Sequence, residues 1–439
     1  MKAQLVPMYF KSGMDTDYHK QLGILKDLLK ESAKILDPIA VGEAIPKEAD
    51  GVLFLQLVVD VYRQKKEILA IKHPILLVTS EFGTFSMWDW EIYTYLRELG
   101  KELLFPNNLD QTHKICSSLA LRRSAKGSKF LVYQDDPGKG FQSEIFKRFY
   151  WFEEECINGI EAKFGITVEK KSFADLGRRA TEITDSAAET VWQTWKRPTS
   201  QLSNRSILDA VKLYIVVKSD ILNDAAVVGV GINCLNESHS CNTTPCLAWD
   251  MLFEEMGIIW VCEADIMSLL TKYLAHKALG APIMMTNIYP FLMGDAALKH
   301  EKIEAFPEVE EPENHVLLAH CGYFGIVPCC YAREWTLRPK VLDIVNDNAH
   351  AIDATIDPGP LTMIKVGPLL NKILVVETEL EGFVEYPNSH CKRGGILRVP
   401  NGRELIKKFY SHHQVFLIGE WKTHLQNLAK IFELEVETV

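Results

Sequence analysis

The stretch Ala226–Glu237 reads AVVGVGINCLNE, a short run of apolar, β-branched residues that passes directly into a polar loop. Such a run is typical of a buried strand. A second strand-like run, Ile258–Cys262, leads in the same way into Asp265, which precedes a helix-like segment at 266–279. Strands that alternate with helices predict a mainly parallel sheet. Ligands of such sheets bind beyond the carboxyl ends of the strands.

The same alternation extends towards the N-terminus. Strand-like runs separated by helix-like segments lie at 5–10, 52–59, 74–79, 103–106 and 129–134. They predict an α/β domain at residues 1–140, and the pattern around Ala226–Glu237 predicts a second α/β domain at 141–294. We therefore expect two doubly wound α/β domains, the second of which provides the candidate site.

The C-terminal third has a different residue pattern. An acidic linker at 308–313 is followed by short β-like runs, broken by glycine and proline, at 315–319, 359–365, 372–377 and 395–399. A helical pattern at 421–432 closes the chain. These features predict a β-rich, barrel-like C-terminal domain at residues 295–439.

Composition restricts the class of partner. The chain has 439 residues, and 48 Lys and Arg against 58 Asp and Glu give a net charge of −10. An acidic chain is a poor candidate for nucleic-acid binding, whose footprint is a basic patch. The N-terminus has no signal-peptide core, and no window approaches the roughly 18 apolar residues of a membrane span. We expect a cytoplasmic protein that binds a small molecule, with neither nucleic acid nor membrane as partner.

Glycines and cysteines near the central strand favour no familiar cofactor. Gly229 and Gly231 give Gly-x-Gly, but Cys234 occupies the third glycine position of the dinucleotide fingerprint, so a nicotinamide site is rejected. Ten cysteines without a signal peptide indicate reduced thiols. Those between 234 and 262 contain no Cys-x-x-Cys pair, so buried, inert thiols are favoured over a zinc site.

Two acids follow the two central strands. Glu237 and Asp265 are expected at one edge of the sheet, where paired carboxylates suit metal ligation or proton transfer. Hard oxygen ligands favour Mn²⁺ or Mg²⁺. Asp265 could instead be a helix N-cap, and Glu237 a solvated loop acid. The residues alone leave both interpretations open.

Short motifs recur in order over residues 225–439. They are INCLNE at 232–237, Pro-Cys at 245–246, CEAD at 262–265, AHC at 319–321, GPLT at 359–362 and SHHQVFLIG at 411–419. This series resembles the L-fucose isomerase and L-arabinose isomerase superfamily, in particular its short L-fucose isomerase-like members. Leu235 stands where those members usually have Trp, and residues 1–140 have no matching motif.

The resemblance implies a metal-dependent aldose–ketose isomerase that acts through an enediol intermediate. By motif, Glu237, Asp265 and His413 would bind a divalent cation, usually Mn²⁺ and otherwise Mg²⁺ or Co²⁺, and the two acids would also transfer protons. The partner would be a small sugar. The family also implies a homo-oligomer, a trimer or hexamer, because its sites lie near subunit contacts.

Further candidate substrate contacts are His412, His320 and Trp88, each of which could instead be structural. Two other functions stay open. One is an isomerase of an anionic or sulfonated hexose, in which Lys392 or Arg393 would contact the anion rather than lie in a solvated turn. The other is a non-catalytic sugar-binding protein on the same fold.

Overall fold

The computed structural model describes residues 1–55, 60–82, 89–135, 154–290, 299, 301–306 and 308–439. The chain forms two compact units. The first comprises residues 1–126, 277–280 and 423–435, and the second comprises residues 127–276, 281–422 and 436–439. Within the described ranges, every helix is too short or too polar to cross a bilayer.

The first unit is built on a parallel sheet. Its elements are β1 (Ala3–Tyr9), α1 (Thr16–Leu28), β2 (Ala33–Ile35), β3 (Ile39–Ala40), β4 (Gly51–Phe54), α2 (Asp60–Arg63), α3 (Lys65–Ala70), β5 (Ile75–Leu77), α4 (Asp89–Glu98), β6 (Leu103–Leu104) and α5 (Leu109–Ser124). The strand order is β2-β1-β4-β5-β6, and β3 pairs with β1. Alternate strand residues such as Val6, Val52 and Ile75 are buried in one core, and the apolar residues between them are also buried, as the sequence predicts for a parallel sheet.

The second unit begins with another parallel sheet. Its elements are β7 (Lys129–Tyr133), α6 (Glu154–Phe164), β8 (Thr167–Lys171), α7 (Phe173–Glu182), α8 (Asp185–Trp195), α9 (Asn204–Leu222), β9 (Val227–Ile232), α10 (Cys246–Met256), β10 (Ile259–Cys262) and α11 (Ile266–Leu279). The strand order is β10-β9-β7-β8. The carboxyl ends of β9 and β10 therefore lie side by side, as expected for the candidate acids.

The second unit also contains a closed, six-stranded antiparallel barrel. The elements from here to the C-terminus are β11 (Ile283–Pro290), β12 (His315–Ala319), β13 (Glu334–Pro339), β14 (His350–Thr355), β15 (Gly359–Val366), β16 (Lys372–Glu385), β17 (Arg393–Arg398), α12 (Gly402–Lys408), β18 (His413–Ile418), α13 (Lys422–Ile431) and β19 (Glu435–Glu437). The order β15-β18-β11-β12-β17-β16 closes through the pairing of β16 with β15. β13 and β14 form a separate hairpin.

The mixed α/β class and the C-terminal barrel agree with the sequence prediction, but two strands differ from the predicted domain bounds. β7, expected in the N-terminal domain, pairs with β8 and β9 in the second sheet. β11, expected in the second α/β domain, is a barrel strand between β12 and β18. The apolar pattern of each strand is the same whichever sheet it joins, so pattern alone does not assign it.

The helical residues between 173 and 195 form two helices. They divide into α7 and α8, because Ser172 and Thr184 each act as an N-cap. The Ser172 hydroxyl accepts the N–H of Asp175, and the Thr184 hydroxyl accepts the N–H of Ala187. A side chain that satisfies the first free N–H groups fixes where a helix begins.

Candidate metal centre

One end of the barrel brings together polar residues from neighbouring strands. In the antiparallel register, Asn287 of β11 pairs with His413, the first residue of β18, and with Ala319, the last residue of β12. His320 follows Ala319 directly. Residues that are directly opposite in a ladder project from the same face, so Asn287 and His413 share a face at this end of the barrel.

A tight turn after β10 brings the acidic residues Glu263 and Asp265 to the same end of the barrel. The N–H of Asp265 donates to the carbonyl of Cys262 at 3.2 Å. The two residues between them, Glu263 and Ala264, both have left-handed backbone, with φ of 56° and 55°. Left-handed backbone costs about 1–2 kcal/mol for each residue other than glycine. Strain of this kind is concentrated at functional sites.

The absence of a side chain at Gly231 allows this turn to pack closely against the end of β9. The N–H of Ala264 donates to the carbonyl of Ile232 at 3.0 Å, so the turn packs against the end of β9. A Cβ atom at Gly231 would lie only 3.2 Å from the Cα of Ala264. The glycine that the sequence presents as part of Gly-x-Gly therefore serves close packing of the turn.

Glu263, His320 and His413 form a group that could hold a metal ion. One carboxylate oxygen and one nitrogen from each ring all lie within 4.8 Å of one another. Oε1 of Glu263 is 3.3 Å from Nε2 of His413 and 3.7 Å from Nε2 of His320. Ligand atoms that share an ion at about 2.1 Å lie at most about 4.2 Å apart. A small contraction therefore brings the three atoms to ligand distances.

The His320 ring supports this assignment. The residue is 2% exposed, and neither ring nitrogen has a hydrogen-bond partner among the described residues. Buried polar atoms are nearly always bonded, so two unbonded ring nitrogens in one histidine need an explanation. Burial lowers the pKa of His320 to about 4. The ring is therefore neutral near pH 7 and can offer a lone pair to a cation.

Asp265 orients His413. The Nδ1–H of His413 donates to Oδ2 of Asp265 at 3.1 Å, which leaves Nε2 directed at Glu263. Histidine ligands usually donate their second N–H to a carboxylate in this way. Asp265 also caps α11, because its Oδ1 accepts the N–H of Ser268 at 2.9 Å. The N-cap interpretation of Asp265 is thus confirmed, and the same carboxylate has a second task.

A buried lysine completes the surroundings of Asp265. Nζ of Lys365, at the end of β15, donates to Oδ2 of Asp265 at 2.9 Å, and the Ser268 hydroxyl donates to the same oxygen at 2.7 Å. Lys365 and Asp265 are 1% and 0% exposed. The Asp265 carboxylate is therefore fully bonded within the protein, unlike the His320 ring.

The charges of the cluster are strongly coupled. Burial alone would raise the pKa of Glu263, but the imidazoles of His413 and His320 lower it to about 2. Burial would also raise the pKa of Asp265, and Lys365 and His413 instead hold it well below its usual range. Burial would lower the pKa of His413, but Glu263 and Asp265 raise it to about 9. Without a metal, His413 is therefore a cation between two carboxylates.

Glu237 lies at the carboxyl end of the neighbouring strand and is 4% exposed. Its carboxylate accepts the backbone N–H of Asp135 at 2.9 and 3.1 Å and the Nδ2–H of Asn233 at 2.8 Å. The solvated-loop interpretation is therefore wrong for Glu237. Within the described residues, neither Glu237 nor Asp265 belongs to the metal-capable group, which shares only His413 with the predicted ligands.

The residues that the sequence suggests as substrate or anion contacts lie in different surroundings. His320 lies in the metal-capable group. His412 packs on His413, with ring centroids 4.3 Å apart, and burial lowers its pKa to about 3. Trp88 lies outside the described residues. Arg393 pairs with Asp353 at 3.0 Å and with a further acid of β16, and Lys392 is exposed.

The sequence analysis did not identify two residues of this site, Glu263 and Lys365. Glu263 lies inside the quoted CEAD motif, but the resemblance assigns the ligand role to Asp265. Lys365 lies in a predicted strand, two residues after the buried Met363, and so on the same face. A lysine on the buried face of a strand is a signal that could have identified it.

The summed contribution of His413, His320 and His350 to the free energy of unfolding of the metal-free protein should be greatest near pH 6.5. The pKa of His413 rises from 6.5 to about 9 on folding, so its stabilisation is complete below pH 6.5 and is lost as the pH rises through about 9. Burial lowers the pKa of His320 and His350 from 6.5 to about 4, so their stabilisation is complete above pH 6.5 and is lost as the pH falls towards 4.

Urea unfolding of the native protein and of His413→Gln at about pH 5, 6.5 and 8.5, with EDTA or with excess Mn²⁺, isolates the His413 contribution, because Lys272, whose pKa burial lowers to about 7, is common to both proteins. The stability difference between the two metal-free proteins should shrink from pH 6.5 to 8.5, and a bound cation, which replaces the His413 proton, should remove this decline. A metal-free difference that stays constant between pH 6.5 and 8.5 would contradict the charge assignment of His413.

No protein-family model matches the chain, and no curated protein sequence matches it significantly. The resemblance to sugar isomerases thus rests on the motifs quoted above.

Proposed function

We propose that the protein is a metal-dependent aldose–ketose isomerase. The observation that carries the proposal is the meeting of three motif segments, 262–265, 319–321 and 411–413, around one buried group able to hold a cation, with the fourth segment, 232–237, packed against the turn that carries Glu263. These are the segments whose order along the chain resembles the L-fucose isomerase-like proteins. Segments far apart in sequence have no simple structural reason to concentrate this many buried ionisable groups.

Under this proposal Glu263, His320 and His413 bind the cation, and Asp265 positions His413. Glu237 is the proton carrier, because its carboxylate lies outside the metal-capable group and at the adjacent strand end. The ligand set thus differs from the one that the resemblance implies, which assigns Glu237 and Asp265 to the metal. The difference has a physical basis, since the Asp265 carboxylate is already bonded to Lys365, Ser268 and His413.

The reaction moves one proton between C1 and C2 of the sugar and another between O1 and O2. Glu237 takes the proton from C2 of the aldose and returns it to C1 of the enediol. The bound cation supplies Lewis-acid polarisation of the substrate oxygens. Oδ1 of Asn287 is buried, has no hydrogen-bond partner in the described part of the chain, and can accept a bond from a sugar hydroxyl.

Two imidazoles and one carboxylate disfavour Mg²⁺, which prefers oxygen ligands, and suit Mn²⁺, Co²⁺ or Fe²⁺. We propose Mn²⁺ as the working cation. We also propose a homo-oligomeric assembly, cytoplasmic location and a small sugar as partner, as the resemblance implies. Arg393 is neutralised by Asp353 and an acid of β16, so these contacts give the anionic-hexose alternative no support.

Proton exchange in deuterated water tests the proposal. Metal-loaded protein is incubated with a panel of aldoses and ketoses, and deuterium at C1 or C2 is read by NMR or mass spectrometry. We expect deuterium incorporation with at least one sugar, and a loss of about 10²–10⁴ in rate for Glu237→Gln. Sugar binding without exchange for every sugar tested would instead support the non-catalytic binding protein.

The donor set favours one competing function. Two histidines and one carboxylate are also the ligands of non-haem Fe(II) oxygenases. Oxygen consumption by the Fe²⁺-loaded protein, measured with the same sugar panel, separates the two functions. Consumption of oxygen without proton exchange would replace the isomerase proposal.

A further inference from the structure

Three neighbouring strands of the second parallel sheet end at the same level, and a polar residue follows each of them. Gln134 follows β7, Asn233 follows β9 and Glu263 follows β10. The last residues of the three strands pair with one another across the sheet. Neighbouring strands are about 4.8 Å apart, so the three residues form one row roughly 10 Å long. Glu263, a proposed cation ligand, lies at one end of this row and Gln134 at the other.

Two amide oxygens of the row lack a hydrogen-bond donor. Gln134 is 6% exposed and Asn233 is 0% exposed. In the part of the chain that the structure describes, neither Oε1 of Gln134 nor Oδ1 of Asn233 has a hydrogen-bond partner. Buried polar atoms are nearly always bonded. Two orphaned acceptors at neighbouring strand ends therefore indicate a bound group that brings two donors.

Glu237 determines which way the Asn233 amide faces. Nδ2–H of Asn233 donates to Oε2 of Glu237 at 2.8 Å. The flipped amide would place Oδ1 against a carboxylate oxygen, and both of these atoms are acceptors. Oδ1 of Asn233 is therefore directed away from Glu237. The same carboxylate accepts the backbone N–H of Asp135, the residue after Gln134, so the proposed proton carrier is hydrogen-bonded at both of these strand ends.

The type of orphaned atom restricts the ligand. Amide oxygens accept hydrogen bonds and cannot donate, so the ligand must present O–H or N–H groups to Asn233 and Gln134. Carboxylate and sulfonate oxygens are themselves acceptors, and an anionic group at this position would leave both amides unbonded. Hydroxyl groups on successive carbons provide donors at the required intervals. The row therefore fits the part of a sugar that extends from the cation ligands past Glu237.

We propose that Asn233 and Gln134 contact the substrate and determine its specificity. Oδ1 of Asn233 accepts the hydroxyl at C3, next to the carbon from which Glu237 takes its proton, and Oε1 of Gln134 accepts a hydroxyl further along the open chain. This assignment rests on the proposed isomerase function for the position of the reacting carbon. It adds to that function a requirement for free hydroxyl groups, with no anionic substituent, on the carbons that follow C2.

Titration of the Mn²⁺-loaded protein with pentitols and hexitols tests the proposal without turnover. These alditols carry the hydroxyls of an open-chain sugar but have no carbonyl group to isomerise. Gln134→Met keeps the length of the side chain and removes the acceptor, so it should weaken binding of the best alditol at least about tenfold. Its free energy of unfolding should not fall, because the lost oxygen is unbonded in the native protein.

Gln111→Met is the matched control. Gln111 is also buried, at 5% exposure, but its Oε1 accepts the N–H of Asn107 at 2.6 Å. This variant should therefore lose stability and keep native alditol affinity, the opposite of Gln134→Met. Equal alditol affinity in the native protein and both variants would overturn the proposal, and would show that water satisfies the Gln134 oxygen.

Monodeoxy alditols provide a readout that a purely structural role would not change. Removal of the hydroxyl that Gln134 accepts should weaken binding to the native protein at least about tenfold, but binding to Gln134→Met less than about threefold. The same loss in both proteins for every deoxy derivative, or failure of every alditol to bind the native protein, would overturn the proposal. Proton exchange without this pattern removes this inference alone, whereas the pattern without proton exchange removes the isomerase proposal and leaves a sugar-binding row.

Discussion

We expect Glu263→Gln to lower Mn²⁺ affinity at least about a thousandfold, equivalent to about 4 kcal/mol. The substitution keeps the size of the side chain and the strained turn but removes the one carboxylate that faces both His320 and His413. The two imidazoles alone supply no negative charge to balance the cation. Proton exchange should fall to background with the metal. Isothermal titration of the metal-free variant with Mn²⁺ measures the loss directly.

Two further variants make this result decisive. Glu237→Gln should leave Mn²⁺ affinity within about tenfold of the native value while it lowers the rate of proton exchange about 10²–10⁴-fold, because we place Glu237 in proton transfer. Asp265→Asn should weaken Mn²⁺ about ten- to a hundredfold through loss of the carboxylate that orients His413. If Glu237→Gln and Asp265→Asn lost the metal and Glu263→Gln kept it, the ligand set implied by the resemblance would be correct and ours would be wrong.

Most strands of the two parallel sheets are predictable because each is a short apolar run bounded by loop residues. The polar β8 (TVEKK) and the short β2 and β3 are not among the predicted runs. Ile258–Cys262 was predicted and β10 is Ile259–Cys262; Lys129–Gln134 was predicted and β7 is Lys129–Tyr133. The partner of each strand was not predictable. β7 lies in the second sheet because its register with β8 and β9 buries its apolar residues there, and a short sequence window contains no information about that pairing.

The position of the candidate site was predictable, and its chemistry was predictable in part. Parallel strands end at the same edge, so an edge site near Glu237 and Asp265 followed from the pattern. The distinction between Glu263 and Asp265 depended on a turn in which two consecutive residues have positive φ. Glutamate and alanine rarely adopt a backbone with positive φ, so the sequence does not indicate this turn. The turn determines which acid faces the histidines and which caps the helix.

His320 illustrates the remaining limit. The sequence leaves a substrate contact and a buried histidine bonded to the backbone equally open for His320, and it does not indicate a metal ligand. The distinguishing fact is that its two ring nitrogens have no hydrogen-bond partner among the described residues. That fact depends on the packing of three strands around the barrel end, and only the three-dimensional arrangement provides it.

We expect Lys365→Met to have the largest effect on stability, a loss of about 3–5 kcal/mol in the free energy of unfolding. Methionine matches the lysine stem but removes the ammonium, and Asp265 then keeps a buried carboxylate without its strongest counter-charge. Lys212→Met is the matched control. Lys212 is also buried, but its partner Asp185 is 60% exposed, so the loss should be no more than about 1 kcal/mol.

The double variant Lys365→Met/Asp265→Asn separates the two tasks of Asp265. Removing both charges leaves no unpaired buried ion, so most of the stability lost in Lys365→Met should return. Mn²⁺ affinity should stay about ten- to a hundredfold below the native value, because Nδ1 of His413 then lacks an anionic acceptor. Urea unfolding and Mn²⁺ titration of the four proteins of this cycle give both quantities. Recovery of metal affinity together with stability would show that Asp265 serves the fold alone and does not position His413.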